Sequence, residues 1–587
     1  MRFLRNLLAS ILGTLIALGI IFMLFLIFVA IVAGSKEEII RVKNNSVLDL
    51  KLTEPLKDYG GKFNFVDFDY KYEEYNGLNS ILRAIHYARN DNKIKGITIN
   101  STFLTNGTAQ IKALRDALKE FKSSGKFVYA YGDYFMQKDY YLASVADSVF
   151  LNPVGEMDYR GLSSEVLFFK DLQEKTGFKM EVIRHGKYKS AVEPFLNNEM
   201  SKENREQISE LLNSIWHSVL NDISESRNIS VARLNMMADS LAARTPKLAS
   251  SNGLIDGLKY FDEYESLIRS AMEVEEDKEI NYVDIYEYSE YVSKKRISYG
   301  DKIAVIYAEG EIQYGKGNEE FVGQGVISDA LRDAANNDEV KAVVLRVNSP
   351  GGSALASDII WREVEMAKKI KPVIVSMGNL AASGGYYISA GANRIFAEPS
   401  TITGSIGVFG VVPNVSVLAD KWGINAEQVN TNKNSTLYSV FEPVTKEFRD
   451  YASESIEEVY QTFIHKVANG RNIPVARVDS IAQGRVWSGE QAQKIGLVDE
   501  IGGLDSAVAY AAGLTEVSDY SIKEYPVFEQ SLEEILGAIP GVKSSQVKEK
   551  IIKEEIGEEA YEMLKGVNKF TKLKGVQARL PFEINIK

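Results

Sequence analysis

Ser383 is the hydroxyl residue whose surroundings most suggest nucleophilic chemistry. It lies in the run A-A-S-G-G-Y-Y (381–387), shortly after the apolar, β-branched stretch Val373–Val375. Such a stretch predicts a buried strand, and the small residues after it predict a tight turn into a helix. The free N–H groups and the positive dipole end of that helix favour developing negative charge. Small residues also let a helix pack closely on a sheet, so the turn alone does not establish a nucleophile.

Lys189 is the candidate for the base that a serine nucleophile requires. It lies in the run G-K-Y-K-S-A-V-E-P-F (186–195). A serine is a weak nucleophile until a base takes its proton, and an ammonium group cannot be that base. Burial lowers the pKa of a lysine, so desolvation between two domains would leave Lys189 neutral. In a polar loop, however, a lysine is usually a solvated charge.

Glycines close to Ser383 are the candidate donors to an oxyanion. Gly384 follows the serine directly, and Gly351 and Gly352 belong to the run S-P-G-G-S (349–353). Glycine permits close backbone approach and unusual dihedral angles, so its N–H groups suit an oxyanion site. Together with Ser383 and Lys189, these glycines predict hydrolysis by a Ser–Lys dyad.

Parallel strands are predicted to position these groups. Short apolar runs alternate with helical patterns, which predicts βαβ units with helices on the faces of a parallel sheet. Ligands of such sheets bind beyond the carboxyl ends of the strands. Because Gly351-Gly352 and Ser383 each closely follow a strand, we expect them to be neighbours. In the second half of the chain the predicted strands are Ile303–Tyr307, Ala342–Val347, Val373–Ser376 and Arg394–Ala397, and the predicted helices are 327–336, 357–369 and one after Ser383.

The chain contains a long internal duplication. Gly132 and Gly378 lie 246 positions apart, and the same separation relates the pair Tyr140-Tyr141 to Tyr386-Tyr387. Further matches with slightly shorter separations join Arg227-Asn228-Ile229 to Arg471-Asn472-Ile473, and Gly253-Leu254-Ile255-Asp256 to Gly496-Leu497-Val498-Asp499. A period of this length predicts two whole domains of one fold, because solenoid repeats are much shorter.

The two copies have lost complementary residues. Gln137 is the counterpart of Ser383, and Phe103-Leu104-Thr105-Asn106-Gly107 replaces S-P-G-G-S. Conversely, Tyr438 is the counterpart of Lys189. One copy has the lysine and the other has the serine, which predicts a single site built across the interface between the copies. The contact can form within one chain or between chains, and a tandem fusion favours one chain by raising the effective concentration.

An uncharged apolar run, Leu7–Ala33, is long enough to cross a bilayer as a helix. Arg2 and Arg5 precede it, so the positive-inside rule predicts a cytoplasmic N-terminus and places the residues after Gly34 on the far side. A cleaved signal peptide is the alternative, but the run is longer than the apolar region of a usual signal peptide.

The composition argues against other classes of function: the net charge of −12 disfavours binding of nucleic acid, and the absence of cysteine excludes disulfides and thiolate sites. The four histidines have no zinc-binding spacing: His86, His185, His217 and His465.

The motifs together resemble those of the signal peptide peptidase A family in its long, tandem-duplicated form, within the Clp-protease/crotonase-like superfamily. They are Y-K-S-A-V-E-P-F, S-P-G-G-S, A-A-S-G-G-Y-Y, T-G-S-I-G-V and W-S-G-E-Q-A-Q-K-I-G-L-V-D. The resemblance implies that Ser383 is the nucleophile, Lys189 the general base and Ser405 a residue that helps to position that lysine. It also implies a homotetramer in the inner membrane, with its catalytic domains in the periplasm. Such an enzyme cuts apolar signal-peptide remnants and needs no metal, ATP or other cofactor.

The expected organisation is α/β, with two tandem Clp-protease/crotonase-like domains after a transmembrane helix. The predicted boundaries are 1–34 for the cytoplasmic N-terminus and anchor, 45–275 for the first repeat, 276–300 for a connection, 301–517 for the second repeat and 518–587 for a charged helical tail.

Two alternatives to a peptidase remain for the function. A crotonase-like acyl-CoA enzyme also uses paired glycines around an oxyanion, although acyl-CoA is cytosolic, and a non-catalytic membrane scaffold would use the duplication for assembly alone.

Overall fold

The computed structural model describes residues 2–34, 40–52, 55–65, 70–275, 278–295, 300–530 and 576–579. Two compact units are present, Met1–Lys43 and Asn44–Lys587. The first contains helix α1 (Arg2–Gly34), within which Arg5–Phe25 has a mean hydropathy of 2.6. By length and composition, this segment is able to cross a membrane.

The first half of the second unit is built on a parallel sheet. The strand order is β8-β6-β5-β4-β1-β9, and neighbouring strands run parallel. Both the fold class and the parallel pairing agree with the sequence prediction. The strands are β1 (Ser46–Leu50), β4 (Ile94–Ile99), β5 (Phe127–Phe135), β6 (Ser148–Met157), β8 (Gly257–Leu258) and β9 (Asn281–Asp284).

The second half contains a similar sheet with the order β19-β17-β15-β13-β10-β21, and β16 joins β15 to β20 beside it. Its pairs are parallel apart from β17 with β19. Apolar, β-branched residues form the buried centre, as the sequence predicts for strands covered on both faces. The strands are β10 (Lys302–Glu309), β13 (Val340–Ser349), β15 (Val373–Ala382), β16 (Arg394–Ala397), β17 (Ile402–Gly404), β19 (Val486–Ser488), β20 (Glu500–Ile501) and β21 (Ser521–Tyr525).

A third sheet joins the two halves, with the order β12-β11-β14-β23-β18-β7. Its strands are β7 (Lys179–His185), β11 (Glu311–Gln313), β12 (Phe321–Gly323), β14 (Gly351–Ser353), β18 (Val408–Asn414) and β23 (Gln577–Arg579). A small fourth sheet consists of β2 (Lys62–Phe65), β3 (Tyr70–Glu73) and β22 (Val527–Gln530).

Helices cover the sheets in both halves. In the first half they are α2 (Leu78–Asn90), α3 (Thr108–Lys122), α4 (Gln137–Ala143), α5 (Lys170–Thr176), α6 (Glu193–Leu196), α7 (Lys202–Arg227), α8 (Val231–Asp239), α9 (Pro246–Ser251), α10 (Phe261–Met272) and α11 (Ile285–Lys295). In the second half they are α12 (Gln324–Asn336), α13 (Ala354–Lys368), α14 (Gly384–Ser389), α15 (Ser416–Lys421), α16 (Lys446–Arg471), α17 (Val475–Ile481), α18 (Gly489–Lys494) and α19 (Leu504–Leu514).

Corresponding details confirm the duplication. Helices α7 and α16 both contain 26 residues and both end at a left-handed asparagine, Asn228 and Asn472, each with φ of 53°. The hydroxyl of Tyr140 donates to the carbonyl oxygen of Leu254, and that of Tyr386 donates to Leu497, each at 2.8 Å. The residues that were matched in the sequence therefore make the same contacts in the two halves.

The structure differs from the predicted boundaries at two places. Strand β9 adds an edge to the first sheet from within the predicted connection, and β21 adds an edge to the second sheet beyond residue 517. Edge strands this short have little periodic signal, which is why the first was assigned to the connection and the second to the tail. Of the tail predicted to be helical, residues 531–575 and 580–587 lie outside the described residues, and its described residues include the strands β21, β22 and β23 instead of a helix.

Candidate active site

Ser383 occupies the turn between β15 and α14. Its backbone has φ of 56° and ψ of −111°, and its side chain is fully buried. A positive φ in a residue other than glycine is a form of strain that concentrates at functional sites. The glycines after it are needed for packing, because a Cβ on Gly384 would lie 2.6 Å from the Ser357 hydroxyl and a Cβ on Gly385 would lie 2.7 Å from the Ser349 carbonyl oxygen.

Lys189 meets Ser383 within one chain. Its Nζ lies 2.9 Å from Ser383 Oγ, 2.9 Å from Ser405 Oγ and 3.1 Å from the Ser405 carbonyl oxygen. The first half of the chain supplies the lysine, and the second half supplies both serines. The structure therefore brings together the three side chains that the sequence analysis named.

The sheet topology explains this meeting. His185, at the end of β7, pairs with Val408, at the start of β18, so the segment leaving one strand runs beside the segment entering the other. Lys189 and Ser405 lie in these two segments. Within the second half, Ala382 of β15 pairs with Gly404 of β17, and this pair brings Ser383 next to Ser405. Pairing between the halves thus brings Lys189 to Ser405, and pairing within the second half brings Ser383 to the same place.

Burial makes Lys189 a candidate base. Its side chain has no exposed surface, and desolvation lowers the pKa of its ammonium group well below the ordinary value of 10.5. Its amine lies between serine oxygens and has no carboxylate partner in the described part of the chain. The environment therefore favours a neutral amine with a free lone pair.

A loop from the second half, which contains Gln483 and Arg485, contacts the segment that carries Lys189. The sequence analysis did not identify this loop. The Tyr188 N–H donates to the carbonyl oxygen of Gln483 at 2.9 Å. The Arg485 guanidinium lies over the Tyr188 ring at 4.8 Å, and the Arg485 carbonyl oxygen accepts the Ser405 N–H at 2.7 Å. This loop directly precedes the motif W-S-G-E-Q-A, which is the signal in the sequence that could have directed attention to it.

Gly484 of this loop lies against the lysine backbone, and the contact leads to a prediction. It has φ of 81°, and a Cβ there would lie 2.6 Å from the Lys189 nitrogen. We expect Gly484→Ala to lower the free energy of unfolding more than Gly125→Ala does. Gly125 is the matched control, because its φ is 82° and the space around its Cβ position is open. Positive φ costs about 1–2 kcal/mol at either position, and the overlap at Gly484 adds roughly 1–3 kcal/mol. Urea unfolding of both variants measures the difference, and equal losses would contradict it.

The paired glycines lie beside Ser383 but differ in their contacts. A Cβ on Gly351 would lie 2.6 Å from the Gly384 nitrogen, so these two residues are in close contact. A Cβ on Gly352 would instead collide with the carbonyl oxygen of Ile312 in β11. The Gly351 N–H already donates to Ser349 Oγ at 3.2 Å.

The corresponding place in the first half is filled by side chains. Gln137, the counterpart of Ser383, accepts the N–H of Gly161 at 2.8 Å through its amide oxygen. The carboxylate of Asp139, which corresponds to Gly385, accepts the N–H groups of Phe103 and Leu104 at 3.0 and 2.8 Å. These polar groups accept backbone N–H groups at the place that corresponds to the Ser383 site, and a glutamine amide stands where the second half has the serine hydroxyl.

Within the residues that the structure describes, no group of three or more His, Asp or Glu side chains is arranged to hold a metal ion.

Comparison with known proteins gives two family matches and several relatives. The model of Peptidase family S49 matches residues 120–275 and again 365–518, and that of Clp protease matches 294–403. Protease 4 of Haemophilus influenzae is 39% identical over 462 residues, covering 76% of this chain and 75% of that protein. Protease 4 of Salmonella typhi is 37% identical over 485 residues, covering 81% and 78%. The chloroplastic serine protease SPPA of Arabidopsis thaliana is 35% identical over 431 residues, covering 72% and 63%.

Among solved structures, a ClpP1 mutant from Listeria monocytogenes covers 35% of this chain and 94% of its own, with 14% identity and a TM-score of 0.24. A similarity of this size supports no argument of its own.

Proposed function

Because the chain belongs to peptidase family S49, we propose that it is a serine endopeptidase in which Ser383 is the nucleophile and Lys189 the general base. The observation that carries this proposal is the 2.9 Å distance between Ser383 Oγ and the amine of a fully buried lysine. A base within hydrogen-bond reach and with a lowered pKa is what activation of a serine hydroxyl requires.

In the proposed mechanism, the two N–H bonds of a neutral Lys189 amine donate to Ser405 Oγ and to the Ser405 carbonyl oxygen. This leaves the lone pair directed at the Ser383 hydroxyl. Ser383 Oγ attacks the substrate carbonyl carbon while its proton moves to Lys189 Nζ. The resulting ammonium protonates the leaving amine, and an ester on Ser383 remains. Lys189 then takes a proton from water while the water oxygen attacks the ester carbon. As the ester bond breaks, Lys189 returns that proton to Ser383 Oγ, which releases the carboxylic acid product and restores both residues.

The N–H groups of Gly384 and Gly352 are the proposed donors to the tetrahedral oxyanion. The Gly351 N–H donates to Ser349 Oγ, so we assign Gly351 to shaping the loop. Gly351 is in close contact with Gly384, which supports a role in setting the spacing of the two donors. Fixed donors of this kind stabilise charge in the transition state without further reorganisation.

We propose apolar signal-peptide remnants as the substrates. Two features support this substrate class: an N-terminal helix able to cross a membrane, and the glycine strand β14, whose backbone can pair with an extended peptide. We also propose a cytoplasmic N-terminus with periplasmic catalytic domains, which Arg2 and Arg5 support through the positive-inside rule.

We also propose that the enzyme is a homotetramer. The segment between α15 and α16 exposes large apolar side chains, with Trp422 at 75% and Val429 at 100% of their surface. Apolar surface of this kind marks sites of protein association. Light scattering of the detergent-solubilised chain would give the number of copies, and a monomer would contradict the proposal.

The test of the function uses the full-length protein in detergent. A synthetic signal peptide should be cleaved within its apolar segment without added metal or nucleotide, and a charged peptide of equal length should be cleaved much more slowly. Mass spectrometry of the products identifies the bond. An intact signal peptide would support a scaffold or an acyl-CoA enzyme instead.

Ser405 is proposed to position Lys189, which leads to a separate prediction. Ser405→Ala removes one acceptor of the amine while the carbonyl oxygen remains. We expect kcat to fall about 10- to 100-fold, because losing one buried hydrogen bond costs roughly 1–3 kcal/mol. KM should change little, and the acid limb of the pH profile should move because the lysine environment changes.

Ser400→Ala is the matched control for this variant. This serine precedes Ser405 in the same segment of the chain, and its hydroxyl is buried and has no hydrogen-bond partner in the described residues. It should retain the activity and pH profile of the parent protein. An unchanged pH profile in Ser405→Ala would show that the residue has a structural role alone.

A further inference from the structure

Gln207, in helix α7, contacts the chain on both sides of Lys189. Its side chain is 1% exposed, and its Nε2 lies 3.0 Å from the carbonyl oxygen of Tyr188 and 2.8 Å from Ser190 Oγ. These two residues directly precede and follow the lysine. In the described part of the chain, the hydrogen bonds of this amide reach neither the Lys189 amine nor Ser383, so it does not touch the reacting atoms.

The oxygen of the same amide reaches the second half of the chain. Gln207 Oε1 accepts the N–H of Val486 at 3.3 Å. Val486 directly follows Arg485, whose carbonyl oxygen accepts the Ser405 N–H at 2.7 Å. One buried side chain therefore connects the backbone around the proposed base with the segment that holds Ser405. An amide is suited to this because it carries both a donor and an acceptor.

The neighbours of Gln207 determine which way its amide lies. A backbone N–H can only donate, so the Val486 N–H requires the amide oxygen on its side. The Glu193 carboxylate accepts from Asn204 Nδ2 at 2.6 Å, which leaves Asn204 Oδ1 facing Gln207 Nε2 at 3.2 Å. Both constraints place Nε2 on the side of Lys189. Glu193 belongs to the same run, 186–195, as the lysine.

The second half has no such amide. Helices α7 and α16 have equal lengths, and counting from the first residue of each, Gln207 corresponds to Tyr451 and Asn204 to Phe448. Tyr451 is 60% exposed. The half that has Tyr438 in place of the lysine has therefore also lost both amides. A role in packing the helix alone would apply to both halves, so this difference indicates a role connected with the lysine.

We propose that Gln207 is a positioning residue of the Ser–Lys dyad, which keeps Lys189 buried with its amine directed at Ser383. This inference rests on the proposed function. Without the amide, the Tyr188 carbonyl oxygen loses a buried partner and the segment moves away from the second half. Water then reaches the amine and favours its charged form, so the pKa of Lys189 should rise towards its ordinary value of 10.5.

The test compares Gln207→Met with Gln173→Met in the full-length protein in detergent, with a synthetic signal peptide as the substrate. Gln173 of α5 is the matched control, because its buried amide also connects two backbone groups, the Phe195 carbonyl oxygen at 2.8 Å and the Met180 N–H at 2.6 Å. Both variants should lose some Tm. Only Gln207→Met should lose kcat, by about 10- to 100-fold with little change in KM, because a buried hydrogen-bonded contact is lost. Its acid limb should also move to higher pH.

Gln207→Glu is a second variant of the same shape, in case the methionine variant does not fold. An ionised carboxylate accepts the Val486 N–H but cannot donate to the Tyr188 carbonyl oxygen. Its kcat should therefore fall even on the high-pH plateau, where Lys189 is neutral whatever its pKa.

Two results would overturn the inference and leave the proposed function in place. One is a folded Gln207 variant with the kcat of an active parent protein. The other is a Gln207→Met enzyme whose kcat falls while its acid limb stays where it is, since that result shows a structural role alone. A parent protein that leaves the signal peptide intact would instead reject the proposed function.

Discussion

Ser383→Ala is expected to lower kcat/KM for an apolar peptide by roughly 10⁴-fold or more, a size typical for removal of a serine nucleophile. In the proposed mechanism the Ser383 hydroxyl oxygen attacks, and within the described residues the Lys189 amine otherwise contacts only the oxygens of Ser405. Peptide hydrolysis followed by fluorescence or by mass spectrometry measures the loss. Substrate affinity should persist, because the glycine strand and its backbone donors remain.

Ser389→Ala is the matched control, because this serine lies in the same helix α14 and is also buried. Its hydroxyl donates to the Gly385 carbonyl oxygen at 2.7 Å and does not contact Lys189. The control should keep near-normal activity, with a small loss of stability. Activity of Ser383→Ala within tenfold of the parent would reject Ser383 as the nucleophile.

Lys189→Met is expected to abolish activity by a similar factor, roughly 10⁴-fold, while leaving the protein folded. Methionine fills nearly the same volume, so the buried pocket stays occupied, but no base remains to take the Ser383 proton. Lys187→Met, a change at an exposed lysine two residues earlier, should retain activity. A Lys189→Met enzyme with substantial turnover would contradict the role of this residue.

The pH dependence follows from the lowered pKa of Lys189. The amine acts as a base when it is neutral, so the rate should rise with pH through this lowered pKa and reach a plateau well below pH 10.5. A rate that keeps rising up to pH 10.5 would indicate a solvated lysine instead. The profile of kcat/KM against pH in the parent protein measures this, with Lys189→Met as the baseline.

The same pKa has a consequence for stability. The unfolded chain binds a proton at Lys189 up to about pH 10.4, whereas the folded chain loses it at lower pH. Between the pKa of Lys189 in the folded chain and its pKa in the unfolded chain, the contribution of this group to the free energy of unfolding therefore increases with pH. Lys189→Met should raise Tm at neutral pH, and the advantage should shrink as the pH approaches about 10.4. If the parent protein and Lys189→Met had the same Tm at every pH, burial of the lysine would not lower the stability of the parent protein as expected here.

Comparison of the two copies is what made the candidate site predictable. Ser383 alone lies in a turn that packing could explain, and Lys189 alone lies in a polar loop. Each became informative because Gln137 and Tyr438 stand at the corresponding positions. The strands were predictable for a different reason: a buried parallel sheet imposes long apolar, β-branched runs on its sequence.

Contacts that depend on pairing between the halves were not predictable from the sequence. Gly484 and Arg485 lie beside Lys189 because β7 of one half pairs with β18 of the other, and no periodic pattern encodes that pairing. The same holds for Gln577–Arg579, a strand too short to show alternation. The different contacts of Gly351 and Gly352 also required atomic positions, since the two residues are adjacent and chemically identical.

The division of the proposed dyad between the halves has a consequence for biosynthesis. Lys189 is synthesised well before Ser383, and it is buried only after β18 has paired with β7. Until then its ammonium is hydrated and carries its proton, so a nascent chain that has already produced its first half has neither nucleophile nor base. Under the proposed mechanism, the protein is thus latent until its second half has folded, and completion of folding is itself the activation step.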